Sequence, residues 1–161
     1  MILQQPPVCD MELLSSQLQA LAASLAASAH EAQAQQQAFQ GVRAIVQRRW
    51  SHARLELFGS AANGLGIGSN NDIDVCLVLD ESDLSHEHKV ETVEELGPLL
   101  EDAGMQEVLV LGRARVPVIK FVFPETGTKV DITINNLLAC YNTRLIAEYC
   151  KVDDRLRYVY N

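Results

Sequence analysis

The segment Asp72-Ile73-Asp74-Val75-Cys76-Leu77-Val78-Leu79 constrains the architecture more than any other part of the chain. Its apolar run is short and suits a strand buried on both faces, which requires layers packed on either side of a sheet. Yet the segment opens with two aspartates two positions apart. The period of a strand is two residues, so both carboxylates point to one face. Acids held that close repel one another unless a cation lies between them. The chain must therefore bury this strand while leaving its first residues open to a positive charge.

The segments on either side define a mixed α/β (α+β) pattern. From Asp10 to about Trp50 the chain is rich in Ala, Gln and Leu, with Met11, Leu14, Leu18, Leu21 and Leu25 at helical spacing. Asp10 is the expected N-cap, and the stretch reads as one long helix or as two broken between Ser28 and Gln35. Leu55–Phe58 reads as a strand ending at Gly59-Ser60, and Ala61 to Asn71 as turn or short helix. Glu87–Leu100 has helical periodicity, with Gly97-Pro98 expected to kink it or end it early and Gly104 as the final stop. Three strands follow, Glu107–Leu111, Val116–Phe123 and Lys129–Ile134, the last two joined by a turn of hairpin length at Glu125-Thr126-Gly127-Thr128. Leu137 to Val152 is again amphipathic and helical, and Asp153 to Asn161 reads as the opening of a further helix. The expectation is a mixed sheet of about five strands flanked by helices. It divides into a helical segment 1–50, a unit 51–152 with the sheet, and a short helical start at 153–161.

Composition narrows the class. A chain of 161 residues with 48% apolar and 21% charged residues suits one globular domain, not a disordered or fibrous chain. No apolar run approaches the roughly 20 residues of a membrane span, and no membrane association is expected. Met1-Ile2-Leu3-Gln4-Gln5-Pro6-Pro7 lacks the basic and apolar regions of a signal peptide. Cys9, Cys76, Cys140 and Cys150 show no zinc-type spacing and are expected as free thiols in a reducing compartment, the cytoplasm before the nucleus. A net charge of −8 argues against coating nucleic acid through a broad basic surface, although gripping a strand end needs no such surface.

A third acid completes the acidic pair. Asp131 lies within Lys129-Val130-Asp131-Ile132-Thr133-Ile134, and an acid in an apolar strand is costly to bury unless paired or bound to metal. Oxygen ligands of this kind suit Mg²⁺, which prefers one or two carboxylates plus substrate phosphates. Three carboxylates from two strands can hold two ions about 3.5–4 Å apart, the arrangement used for in-line phosphoryl displacement. Gly59-Ser60, directly after a strand, adds the other half: glycine lets backbone approach a phosphate and the serine hydroxyl can donate to it. Each pair alone is commonplace, a plain turn or a solvated edge. Their combination in this order is specific.

Leu57-Phe58-Gly59-Ser60, then Asn63-Gly64-Leu65-Gly66, then Asn71-Asp72-Ile73-Asp74-Val75-Cys76-Leu77 resembles the signature of the DNA polymerase β-like nucleotidyltransferase superfamily. With Val116-Pro117-Val118-Ile119-Lys120-Phe121 and Val130-Asp131-Ile132-Thr133-Ile134-Asn135-Asn136, the resemblance is to the template-independent RNA terminal nucleotidyltransferases, namely terminal uridylyltransferases and cytoplasmic-type poly(A) polymerases. It covers about Arg43 to the C-terminus. It implies transfer of a nucleoside monophosphate from an NTP, UTP slightly favoured over ATP, to an RNA 3′-hydroxyl. It also implies a trio Asp72, Asp74 and Asp131 on Mg²⁺ (Mn²⁺ as substitute), with Asp131 aiding deprotonation of that hydroxyl. Phe58, Gly59 and Ser60 would then meet the triphosphate, Asn142-Thr143 the ribose, and Asn136 the nucleotide pocket. Asn71 departs from the pattern by standing where the family usually has serine, and the loop from Gly66 to Asn71 is one residue longer than usual. The chain also stops where the family's helical central domain expands, so a fragment lacking that partner domain is expected.

Weaker signals have plain readings. His86-Glu87-His88, His30 and His52 are expected to be solvated or structural, Arg48-Arg49 to suit the helix C-terminus, and Trp50 to pack into the core. Arg113 and Arg115, two apart, would share a face of an extended segment, on parity opposite to Lys120. Two competing readings stand beside the leading one. One is a nucleotidyltransferase acting on a non-RNA substrate. The other is a catalytically silent homologue serving as a scaffold or RNA-binding module, which the presence of all three acids disfavours.

Overall fold

Asp10 does cap the first helix, its Oδ1 accepting from the amides of Glu12 and Leu13 at 3.1 and 3.0 Å. The computed structural model describes residues 10–25, 28–66, 68, 71–79, 84–153 and 155–156. Met1–Pro7, Cys9, part of the loop between Gly66 and Asn71, and most of the helical start expected at 153–161 lie outside the described residues. The N-terminal helical stretch is two helices, α1 (Met11–Leu25) and α2 (Ala29–Arg49). Ser28 begins the second with a capping box: its hydroxyl accepts from the Glu31 amide while the Glu31 carboxylate accepts from the Ser28 amide at 2.7 Å.

Five strands follow, β1 (Arg54–Phe58), β2 (Asp72–Val78), β3 (Gln106–Leu111), β4 (Val118–Phe123) and β5 (Thr128–Ile134), in the spatial order β1-β2-β5-β4-β3. The β2–β5 pair is parallel and the other three are antiparallel, so the sheet is mixed as expected. Helices α3 (Ser60–Asn63), α4 (His86–Asp102) and α5 (Leu137–Val152) complete the fold.

Strand periodicity sorts the sheet into two faces. Ile73, Val75 and Leu77 of β2, Ile119, Phe121 and Phe123 of β4, and Val130, Ile132 and Ile134 of β5 form one core with Ala38, Val42 and Val46 of α2 and Val93, Leu96 and Leu100 of α4. Each fully buried aliphatic side chain there contributes about 1.5–3 kcal/mol of transfer free energy. Gly41 lets α2 lie close to β4, since a Cβ there would stand 2.5 Å from the Phe123 ring. The opposite face carries Asp72, Asp74, Lys120 and Asp131, and among the described residues α3 and α5 cover its β1–β2 end.

Two expectations need correction. Helix α4 does not end at Gly97-Pro98; it runs to Asp102 with Pro98 inside it, and Gly104 follows with φ +81° as the expected stop. The clash that expels residues before proline from helical geometry involves a Cβ, which Gly97 lacks. Leu96 and Leu100, buried on either side, hold the turn together. Arg113 and Arg115 do not lie in an extended segment but in the turn and bend between β3 and β4, which begins at Val118, just after the buried Pro117. The apolar row of α1 forms at the expected spacing but stands exposed, as does Leu138, Tyr141, Leu145 and Tyr149 on α5. His30, His52, His86 and His88 are all exposed, and Trp50 packs half-buried against the core under the Arg49 guanidinium, 5.3 Å away.

Candidate active site

The parallel register sets Asp74 directly opposite Asp131, with Asp72 two residues earlier on the same face. A parallel β2–β5 pair buries the partners Ile73 and Val75, Val130 and Ile132 in the core, which leaves the aspartates the other face. Lys120, paired with Asp131 across β4–β5, reaches that carboxylate through its ammonium. Asp72 and Asp131 border a groove of about 290 Å³ that runs across β5 and β4 to Glu107 and Leu109 of β3. Glu107 has φ +53° beside a register shift in β3, which tips the strand end at the mouth of the groove.

Electrostatics follow from this placement. Burial raises the Asp74 carboxyl above its ordinary value, and the charges of Asp131 and then Asp72 push it the same way, with Lys120 opposing. Among the described residues no three His, Cys, Asp or Glu side chains close on a point tightly enough to form a ready cage for an ion. Three mutually repelling carboxylates, one of them drawn to Lys120, do not converge unaided. Mg²⁺ needs no all-protein cage, because phosphates and waters fill most of its shell. The donor set fits a divalent cation on chemical grounds: oxygen atoms only, with excess negative charge.

The glycine after β1 closes the site from the other side. Gly59 has φ +71° and ψ −155°, and its Cα lies so close to Asp74 that an added Cβ would overlap Oδ2 and stand 3.3 Å from Cγ. Its amide donates to Thr143 Oγ1 at 3.0 Å. Phe58 is the register partner of Asp74, and Ser60 begins α3. The structure thus gathers Phe58, Gly59, Ser60, Asp72, Asp74, Asp131 and Thr143 in one region.

Asn136 lies beyond the end of β5 as the N-cap of α5, beside a second cavity of about 240 Å³ shared with His86, Lys89, Arg115 and Asn135. Asn142 is exposed while its neighbour Thr143 is buried, so the two side chains do not share a surface. Asn71 takes a definite role: its Nδ2 donates to the Thr126 carbonyl at 3.2 Å and its Oδ1 accepts from Thr128 Oγ1 at 3.1 Å. These bonds tie the start of β2 to the β4–β5 hairpin and so fix Asp72 against β5.

Two contributors escaped the sequence reading. Lys120 stood out in the sequence only for its parity relative to Arg113 and Arg115, and it is the β4–β5 register that puts it beside Asp131. Asn135, at φ +47°, takes its amide to the Leu77 carbonyl at 2.9 Å and accepts the Leu79 amide on Oδ1 at 3.0 Å, clamping the ends of β2 and β5 together. An asparagine at the close of a strand was the available signal, because asparagine tolerates positive φ.

Cys76, Cys140 and Cys150 are free and buried, as expected of reduced thiols. Burial, with Cys140 as the next cause, pushes the Cys76 thiol up to about 12, and the Asn136 amide lies 3.1 Å from its sulfur. Thiolate is the reactive species, and at about pH 8 only about one Cys76 in ten thousand would carry it. Iodoacetamide is therefore expected to leave Cys76 unmodified in the native protein and to modify it after unfolding, as read by mass spectrometry.

A five-stranded mixed sheet with an acid pair on one strand, a third acid in register on its parallel neighbour and a glycine backbone against them is the architecture of the polymerase β-like nucleotidyltransferase fold. The chain belongs to the family of the poly(A) RNA polymerase, mitochondrial-like, central palm domain, whose profile matches residues 14–151. It is 34% identical over 131 residues to human terminal uridylyltransferase 7, covering 80% of this chain and 9% of that protein. To the poly(A) RNA polymerase cid11 of Schizosaccharomyces pombe it is 32% identical over 132 residues, covering 81% of this chain and 26% of that protein. A solved structure of the Cid1 poly(U) polymerase with Mg and 3′-dATP bound superposes with a TM-score of 0.77 at 28% identity, over 91% of this chain and 44% of that one. The chain thus spans less than half the length of each of these relatives.

Proposed function

We propose that this chain is the catalytic unit of an RNA 3′-terminal nucleotidyltransferase that joins a nucleoside monophosphate from an NTP to an RNA 3′-hydroxyl and releases pyrophosphate. The observation that carries the reading is the in-register pairing of Asp74 with Asp131 beside the Gly59 backbone. It provides carboxylates for a cation on one side and a close backbone approach for phosphate on the other. Membership of a family with uridylyl- and adenylyltransferases supports the reaction class. UTP as the preferred donor and the cytoplasm as the place of action belong to the same proposal.

Asp72, Asp74 and Asp131 would hold two Mg²⁺ ions, with Mn²⁺ as a substitute. When bound, Mg²⁺ lowers the pKa of the attacking hydroxyl and neutralises charge on the triphosphate. Asp131 would accept the proton from the RNA 3′-oxygen as that oxygen bonds to the α-phosphorus and pyrophosphate leaves. Gly59 and Ser60 bind the triphosphate beside Phe58, and Asn136 and Asn142 contact the nucleoside. The helical segment 1–50 precedes the catalytic unit 51–152, with α2 packed into the core of that unit. The exposed rows on α1 and α5, and the short start at 153–161, would meet the family's helical central domain.

The test is extension of labelled RNA by the complete protein with Mg²⁺ and a single NTP. Product longer than the primer is expected with UTP or ATP, and none with EDTA or with a primer lacking its 3′-hydroxyl. Adenylylation of small molecules with RNA left untouched would move the protein to the non-RNA class. Absence of transfer to any acceptor would identify a silent homologue.

A further inference from the structure

Asp72 opens β2 and draws little support from its own strand. The β1–β2 ladder ends at the pair Phe58–Asp74, so Asp72 lies beyond it, and its register partner is Lys129 of β5. Gln35 of α2 reaches the Asp72 carbonyl at 3.4 Å, the long end of hydrogen-bond distance. Repulsion among three carboxylates acts to open this end of β2 whenever no cation is bound. A grip on the strand start from the uncharged face would offset that push.

Asn71 supplies one. Its Nδ2 donates to the Thr126 carbonyl at 3.2 Å, its Oδ1 accepts from Thr128 Oγ1 at 3.1 Å, and its own carbonyl accepts the Lys129 amide at 2.9 Å. The Asn71 amide has one orientation here, because the Thr126 carbonyl can only accept. Thr128 is fully buried and alternates with Lys129, which puts it on the core face with Val130 and Ile132. Its single proton goes to Asn71, so Thr126 is the donor in the 2.7 Å contact between the two threonine hydroxyls. The bonds close a ring through Asn71, Thr126 and Thr128 in which each member both donates and accepts. The turn that the ring grips is itself anchored. Gly127, at φ +66°, donates to the Phe123 carbonyl at 2.9 Å, and Gln37 of α2 donates to the Glu125 carboxylate at 2.8 Å.

We infer that Asn71 is a positioning residue: through Thr126 and Thr128 it clasps the start of β2 to the β4–β5 hairpin and so holds Asp72 at the spacing the cation site needs before any ion binds. The inference rests on the assignment of Asp72 to the cation, and it deepens that assignment. Asn71→Ala removes both side-chain bonds. Thr128→Val removes one hydroxyl and keeps the shape, on the face of the sheet away from the acids, whereas Thr128→Ser keeps the hydroxyl.

The probe is Mn²⁺, titrated into the complete protein without nucleotide or RNA and read by electron paramagnetic resonance, so that no catalytic step enters. In N71A and in T128V the dissociation constant for Mn²⁺ is expected to rise about tenfold, the size of one lost hydrogen bond. T128S should stay within about twofold of wild type. The double variant N71A/T128V should bind at most about twofold worse than either single one, because both changes break the same ring. In RNA extension the Mg²⁺ concentration giving half-maximal rate should rise about tenfold in N71A and T128V, saturating Mg²⁺ should restore the rate, and the KM for RNA should not move. Wild-type affinity for Mn²⁺ in T128V and N71A would overturn the clasp and leave the cation site standing. Wild-type affinity in D72N, or no binding of Mn²⁺ by the wild-type protein, would remove the assignment of Asp72 to the cation and the clasp with it. If N71A failed to fold, T128V and its rescue in T128S would carry the test alone.

Discussion

Replacing Gly59 with alanine is expected to reduce nucleotide transfer by about a hundredfold to ten-thousandfold while the protein stays folded. Two costs fall on the same atom. At φ +71° and ψ −155° a residue with a Cβ is strained by about 1–3 kcal/mol. The new methyl would also overlap Asp74 Oδ2, and overpacking of this kind costs about 1–3 kcal/mol more. The neighbouring segment can relieve both by moving, because Gly59 joins the end of β1 to a four-residue helix and its residue is only half-buried. Relief therefore comes from displacing the Gly59-Ser60 backbone or swinging the Asp74 carboxylate, not from unfolding the core. Either movement separates the phosphate cradle from the acids. If about 3–5 kcal/mol of alignment is lost, the rate falls by about the stated factor. Single-turnover RNA extension measures it, with thermal unfolding as the control. Retention of more than about a tenth of wild-type activity would mean that the Gly59 backbone does not need to lie against Asp74.

Asp72, Asp74 and the glycine were legible because their signals are local. A two-residue spacing within an apolar strand places Asp72 and Asp74 on one face whatever the rest of the fold does. Ser28 and Glu31 likewise form a capping box at the helix break, a signal three residues long. What was not legible depends on topology. Asp131 pairs with Asp74 only because the chain passes through α4, β3 and β4 before β5 docks parallel to β2. Lys120 reaches Asp131 through the β4–β5 register, which a parity argument within one strand cannot supply. The bond between Thr143 and the Gly59 amide was not legible because its partners lie 84 residues apart in sequence. The two-faced division of labour explains why a tolerant fold carries an exacting site. Packing of Ile73, Val75, Val130 and Ile132 on one face sets the strand register, and the aspartates one residue away inherit that register on the other.

Replacing Asp74 with asparagine should separate catalysis from stability, moving them in opposite directions. Transfer is expected to fall by at least about a thousandfold, since a neutral amide would not offset the charge of bound cations. Stability of the metal-free protein should rise. The Asp74 carboxyl sits above its ordinary value of 3.8 because of burial first, then Asp131 and Asp72. The folded protein thus holds this proton more tightly than the unfolded chain does. Below 3.8 the group is neutral in both states and costs nothing. As the pH climbs through the raised folded value, the folded state must accept a charge its surroundings disfavour, and stability is lost. Asparagine resembles the neutral form at every pH. The variant should therefore melt above wild type near about pH 7, and the gap should close on acidification towards 3.8. Mg²⁺ reverses the order of sensitivity: it offsets the repulsion in wild type and should raise its melting temperature more than that of the variant. Melting curves over this range, with and without Mg²⁺, check all three statements. A variant less stable than wild type at neutral pH, with a gap that acid does not narrow, would show that Asp74 is held by structural hydrogen bonds and not kept under charge repulsion for a cation.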